Sequence, residues 1–144
     1  FARHLVAIGL MPNVDAVFKH YLVRGKPGFV ETRWAELADA VAWIRAAGGV
    51  PVVAHPGRYR LSDVEMARLL AAFVEAGGQG LEVVSGSHSD TKVSKFARYA
   101  RRFSLLASRA SDFHGAQESR VDLGRCAPLP DGVEPVWSRL IDRF

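Results

Sequence analysis

Twice in this chain a segment of helical length ends in a pair of glycines and then gives way to a short apolar run. Trp34 to Ala47 leads into Gly48-Gly49 and then Val50-Pro-Val-Val-Ala54. Ser62 to Ala76 leads into Gly77-Gly78 and, one residue on, Gly80-Leu-Glu-Val-Val84. Leu37, Val41 and Ile44 in the first segment, and Val64, Leu69, Leu70 and Phe73 in the second, recur at helical spacing. Thr32 and Ser62 are placed to cap the two helices. Glycine stops them because it tolerates the left-handed backbone that follows a last turn. The apolar runs are short and continuous rather than alternating, which predicts strands covered on both faces of a parallel sheet. A third helix over Asp90–Arg102 and a third strand over Phe103–Ser108 repeat the theme. Helix then strand, three times over, predicts an α/β fold of parallel strands with flanking helices.

A shorter helix is expected over Val14–Leu22, then a break at Arg24-Gly-Lys-Pro-Gly28. A Pro-rich stretch and a last short helix from Val136 close the chain. At 144 residues the length suits one domain. The chain starts at Phe1 rather than Met, which reads as a boundary within a longer polypeptide, and no cleavable leader is visible. No apolar run approaches the roughly 20 residues that cross a bilayer. Cys126 is the only cysteine, so an internal disulfide and a thiolate metal cluster are both excluded, and a reducing cytoplasm is the expected setting. The net charge of +4 is mildly basic, which suits a phosphate-bearing substrate without marking a nucleic-acid-binding module. The densest basic stretch, Arg98 to Arg102, reads as a solvated helix face. Over the chain as a whole the basic residues do not read as interleaved with aromatics, and no RRM or KH signature is visible.

The unusual polar residues cluster just past the expected strand ends: His55, Ser87, His88, Asp112 and His114. Ligands bind at that face of parallel α/β sheets and barrels. Asp112-Phe-His114 is the sharpest feature, since on an extended backbone residues two apart point the same way. A carboxylate and an imidazole there, with His55 from another strand, could bind zinc, manganese or iron. The competing reading is a surface Asp capping a turn beside a hydrogen-bonded His. Arg58, three residues past His55, offers a two-pronged phosphate grip or a surface ion pair. His88 offers a phosphate contact or a cap on the helix from Asp90. Glu82 lies in a strand of apolar neighbours, where it would orient a ligand imidazole or pair with a buried arginine. His4 and His20 read as bland, Trp34, Trp43 and Trp137 as core or rim packing, and Arg125 as lining the site or structural.

Val53-Ala-His-Pro56, with Gly57-Arg58-Tyr59 behind it, resembles the alanine-histidine-proline motif of the PHP (polymerase and histidinol phosphatase) family of metal-dependent phosphoesterases. Ala110-Ser-Asp-Phe-His-Gly115 resembles that family's late serine-aspartate-x-histidine motif, and Gly80-Leu-Glu-Val-Val84 with Gly86-Ser-His88 its intervening glutamate strand. The resemblance runs from about Phe1 to Trp137 and is strongest to the branch of nucleotide phosphatases and 5′-to-3′ exoribonucleases. It implies the second half of a distorted (β/α)7 barrel, residues 1–144 being the C-terminal part of the domain. It implies His55, Asp112 and His114 as metal ligands, Arg58 and His88 as substrate contacts, and Glu82 as support behind the ligands. It implies up to three divalent ions (manganese, zinc, magnesium or iron) and a phosphorylated nucleotide or short oligonucleotide as substrate.

The chain departs from the family in one respect. The family's early His-x-His pair and bridging glutamate have no counterpart here. A tight zinc site takes three or four protein ligands, so the isolated chain is expected to bind metal weakly or not at all and to be inactive alone. No residue is therefore assigned as catalytic. The alternative expectation is a non-catalytic half-domain that assembles with a partner half, or with itself, through exposed barrel edges.

Overall fold

The computed structural model describes residues 1–116 and 119–140. They fall into two compact units, Phe1–Ala35 and the part from Glu36 onward, where length alone suggested one domain. In the first unit, α1 (Ala2–Ala7) was not anticipated, and α2 (Val14–Val17) widens into a π-turn over Phe18–Leu22. The Asn13 side chain caps α2 by accepting the Ala16 N–H at 2.8 Å.

The second unit is the α/β part. Helices α3 (Leu37–Ala46), α4 (Asp63–Glu75) and α5 (Asp90–Arg102) alternate with strands β1 (Val52–Val53), β2 (Gly80–Ser85) and β3 (Leu106–Ala110). The strands form one parallel sheet in the order β1-β2-β3. β2 is central and all six of its residues are buried, which is why its sequence is almost wholly apolar. Leu70 and Phe73 of α4, Leu81 and Val83 of β2, Phe96 and Ala100 of α5, and Ala107 of β3 make the core. Burying the leucine, valine and phenylalanine side chains stabilises by about 1.5–3 kcal/mol each.

Both expected glycine stops are present. Gly48 and Gly77 take positive φ, and the Gly49 and Gly78 N–H groups reach back to the Ile44 and Phe73 carbonyls. The Ser62 cap is present as a full capping box with Glu65.

Four expectations are corrected. Glu36, not Thr32, precedes the first turn of α3, and of Leu37, Val41 and Ile44 only Val41 turns into the core. Trp34, Trp43 and Trp137 are 84%, 64% and 42% exposed, so they are not core residues. β1 is a half-buried edge of two residues rather than a covered strand over Val50–Ala54. Pro51 carries no N–H, and its carbonyl is taken by the Gln79 and Gly80 amides. β3 begins at Leu106, not Phe103, because Phe103–Leu105 finish α5. Ser104 takes the left-handed position usually held by glycine, at φ 52°, and the Leu105 N–H bonds the Ala100 carbonyl. The far side of β3 is met by the chain at Glu134–Pro135, whose Glu134 carbonyl accepts the Ala107 N–H at 2.7 Å.

Candidate functional site

Because the three strands are parallel, their C-terminal ends lie on one side, and each opens into a loop carrying the singled-out residues. The loop after β1 is held from a distance. His55 takes a left-handed backbone, φ 32° and ψ 54°. For a side chain without special tolerance this costs about 1–2 kcal/mol. Glu82 offsets that strain: its Oε2 accepts the His55 N–H at 2.7 Å from the buried centre of β2. Glu82 therefore neither pairs with a buried arginine nor touches the imidazole through that oxygen. It grips the ligand candidate by its backbone. Glu82 Oε1 and His55 Nδ1 are buried and have no hydrogen-bond partner among the described residues. Orphaned polar atoms of this kind call for a cation, a water or a ligand.

His88 holds the next part of the same loop. Its Nδ1–H donates to the Val83 carbonyl at 2.9 Å, and its Nε2 accepts the Gly57 N–H at 3.0 Å. These two bonds fix the neutral tautomer, and burial pushes the ring's pKa below its ordinary value. The ring also stacks on Phe96. Lys92 completes the clamp by donating to the Gly57 carbonyl at 2.8 Å. The phosphate contact expected of His88 does not fit this geometry, since both ring nitrogens are engaged within the chain. Nor does His88 cap α5, which has no side-chain cap bond. Lys92 is not among the residues the sequence singles out, and Tyr59 appears there only within the Gly57-Arg58-Tyr59 run, without a role. Tyr59 packs its ring edge-on to His55 and donates to the Ala54 carbonyl at 2.9 Å. Both reach the loop across the fold or by ring geometry, which spacing does not reveal.

The loop after β3 is held locally. Asp112 has φ 55°, so the extended backbone assumed for Asp-x-His is not what brings the pair together. Instead the His114 Nδ1–H turns back to the Asp112 carbonyl at 2.7 Å, leaving Nε2 as the open nitrogen. Ser119 Oγ accepts the His114 and Gly115 N–H groups at 2.6 and 3.3 Å. Gly86 brings the β2 and β3 loops into touch: a Cβ there would lie 2.1 Å from the Ser111 carbonyl oxygen. Across this junction the Arg58 guanidinium pairs with Asp112 Oδ2 at 3.2 Å. The ion pair foreseen for Arg58 is thus present, with a ligand candidate as its partner.

Arg58, Ser87, Asp112, His114, Ser119 and Arg120 line one cleft of about 430 Å³. Of the three ligand candidates the structure brings Asp112 and His114 into this cleft, while His55 is not among its lining residues. Arg125 is not among them either. As a metal site the set is partial. Among the described residues no three His, Cys, Asp or Glu side chains gather closely enough to hold an ion. The orphaned atoms at His55 and Glu82 show that polar donors are in place and lack partners.

The fold is shared with two solved structures. The chain matches an amidohydrolase from Chromobacterium violaceum, solved with sulfate bound and no metal, at TM-score 0.86 and 48% identity, over 99% of this chain and 49% of that one. It matches a chain from Bifidobacterium adolescentis assigned as a metal-dependent phosphoesterase at TM-score 0.67 and 25% identity, over 97% of this chain and 47% of that one. Among curated relatives, a 3′,5′-nucleoside bisphosphate phosphatase of C. violaceum is 49% identical over 100% of this chain and 50% of its own length. The 5′-3′ exoribonuclease Rnm of Escherichia coli is 43% identical over 95% of this chain and 46% of its own length. A 5′-3′ exoribonuclease of Haemophilus influenzae is 37% identical over 96% and 50%. The chain spans about half the length of the curated relatives it matches. No family model matches it. No helix among the described residues is long and apolar enough to cross a membrane.

Proposed function

We propose that this chain is the C-terminal part of a PHP-type phosphoesterase and contributes one side of a site that hydrolyses phosphate esters of nucleotides or short RNA. The observation that carries the reading is the Arg58–Asp112 pair. It joins two loops 54 residues apart in one cleft with His114, Ser87 and Arg120. A cleft lined by two arginines and three serines suits a phosphoryl group, whose oxygens accept paired N–H donors. Arg58 gives Asp112 one of its five N–H groups, so others remain for substrate. Asp112 and the open Nε2 of His114 are oxygen and nitrogen donors of the kind that divalent manganese, zinc, magnesium or iron accept. His55 is a third such donor, held by Glu82. In two-metal hydrolases the ions supply an activated hydroxide and neutralise phosphoryl charge. This chain's share is to orient the phosphate and provide donors. The remaining donors would come from the rest of a polypeptide of the relatives' length, within the (β/α)7 barrel that the resemblance implies.

The test uses a polypeptide of the relatives' full length that carries this chain, supplied with manganese and offered a 3′,5′-bisphosphate nucleotide and a 5′-phosphorylated RNA decamer. Phosphate or nucleotide release is expected from at least one. Asp112→Asn is expected to cut it at least about 100-fold, as the loss of a group acting in the transition state does. No release from either substrate, or full activity in Asp112→Asn, overturns the reading.

A second reading, a half-domain that assembles with its other half or with itself, is favoured by one observation. Among the described residues β1 pairs only with β2, which leaves its outer edge free to accept a strand. Sedimentation of the isolated chain tests it: a self-associated or aggregating species is expected, and a stable monomer argues against it.

A further inference from the structure

A second and larger cleft, of about 760 Å³, runs between α4 and α5 on the outside of the sheet. It is lined by Val64, Ala67 and Ala71 of α4 together with a set of basic side chains. Lys95, Arg98 and Arg102 recur at i, i+3 and i+7, which places them on one face of α5 over about 10 Å of helix axis. Arg68 of α4 faces the same cleft. Four cations thus meet a single carboxylate, Asp63, on a chain whose entire net charge is only +4. Asp63 is already committed to Lys95. Arg68, Arg98 and Arg102 form no ion pair among the described residues.

Aromatic rings accompany these cations, contrary to the expectation of a plain solvated face. Lys95 lies 6.0 Å from the centres of the Phe96 and Tyr99 rings, and Arg102 lies 5.3 Å from that of Phe103. Tyr99 spans the cleft's base and donates to the Asp63 carbonyl at 3.1 Å, tying the two helices together. A positive groove bordered by aromatics is how sequence-tolerant single-strand binders hold a backbone. The cleft is also continuous with the first site in topology. The loop from β1 to α4 carries Arg58, and the loop from β2 to α5 carries Ser87. The two connections that build the polar cleft therefore lead directly into the two helices that wall the basic one.

We propose that the α4–α5 cleft binds the phosphodiester backbone of single-stranded RNA whose 5′ end occupies the strand-end site. This rests on the phosphoesterase reading above and extends it from a nucleotide to a chain of nucleotides. Arg68, Arg98 and Arg102 each contact a phosphate, and the face of Phe103 with Arg102 offers a stacking surface.

The experiment is fluorescence anisotropy of the polypeptide of the relatives' full length that carries this chain, with a 5′-phosphorylated, 3′-fluorescein RNA decamer, in EDTA so that nothing is hydrolysed. Binding is expected at low salt. The triple variant Arg68→Ala/Arg98→Ala/Arg102→Ala is expected to weaken it at least 10-fold and to lower the slope of log affinity against log salt by about 2, as three lost single-strand contacts require. Arg98→Glu alone should weaken binding several-fold, which keeps the test decisive if the triple variant does not fold. RNA binding that is absent in the wild-type polypeptide, or unchanged in these variants, overturns the proposal. Displacement of the RNA by a deca-glutamate peptide at equal concentration also overturns it, assigning the cleft to an acidic protein segment. Failure here is distinct from failure of the phosphoesterase reading. Hydrolysis by the longer polypeptide tests that reading and affinity in EDTA tests this one: a polypeptide that releases phosphate or nucleotide while its RNA affinity ignores the three arginines overturns only the cleft proposal.

Discussion

The loops after β1 and β3 leave parallel strands on the same side and hold candidate residues of one site, yet they are anchored in opposite ways. The His55–Arg58 loop is fixed by bonds from Glu82, His88 and Lys92, which lie 27, 31 and 35 residues away from the atoms they hold. The Asp112–Gly115 loop is fixed by bonds to partners two to five residues away, with Arg58 as its distant tie. Long-range bonds survive only while the sheet and α5 are in place, whereas short-range ones can break and re-form without global unfolding. The fold thus builds one arm of the site as rigid as its core and leaves the other able to adjust. One imidazole is thus held in place from afar, while the carboxylate of the other loop is tied only to Arg58 and its imidazole only to local backbone.

Breaking the rigid arm should have the largest effect. His88→Ala leaves the buried Val83 carbonyl and Gly57 N–H without partners and removes the ring stacked on Phe96. Each unsatisfied group costs about 1–3 kcal/mol, so the variant should unfold at clearly lower urea, by about 2–4 kcal/mol. A loss below about 1 kcal/mol would show that the loop does not depend on His88.

Acid should sharpen the same contrast. His88 is folded as the neutral ring, with its pKa below the ordinary 6.5 because burial disfavours the charged form. Its contribution is therefore complete above about pH 6.5 and is lost as pH falls through the lowered folded value. Urea midpoints measured from pH 7 down to 5 should decline in the wild-type chain and decline less in His88→Gln. Parallel declines would remove His88 from the account.

The adaptable arm should show the smallest effect. His114 is exposed and its contacts are local, so His114→Ala should change stability by less than about 0.5 kcal/mol. A loss as large as that of His88→Ala would erase the difference between the two loops.

Much of this was legible in the sequence, and what was not has physical causes. The glycine pairs, the Ser62 capping box and the three helix–strand units are local patterns, and each appears in the fold. The start of β3 was misplaced because Ser104 does the work of a glycine in ending α5, and no sequence rule makes serine a helix stop. The placement of His55, Asp112 and His114 in loops just past strand ends is legible from the helix–strand pattern. The roles of Glu82 and His88 were not, because a backbone N–H is an invisible partner in a sequence: one carboxylate and one imidazole serve to hold His55 and Gly57. The basic and aromatic residues of α5 stand side by side in the sequence as Arg98-Tyr99 and Arg102-Phe103, but only the packed helices show those pairs bordering a cleft.

Native-state amide hydrogen exchange tests the difference between the two arms most directly. The N–H groups of His55 and Gly57, bonded to Glu82 and His88, are expected to exchange only with the slow opening that also exposes β2. Those of His114 and Gly115, bonded to Ser119, are expected to exchange at least tenfold faster. Equal rates in the two loops, or faster exchange at His55 and Gly57, would contradict a pre-organised arm beside an adaptable one.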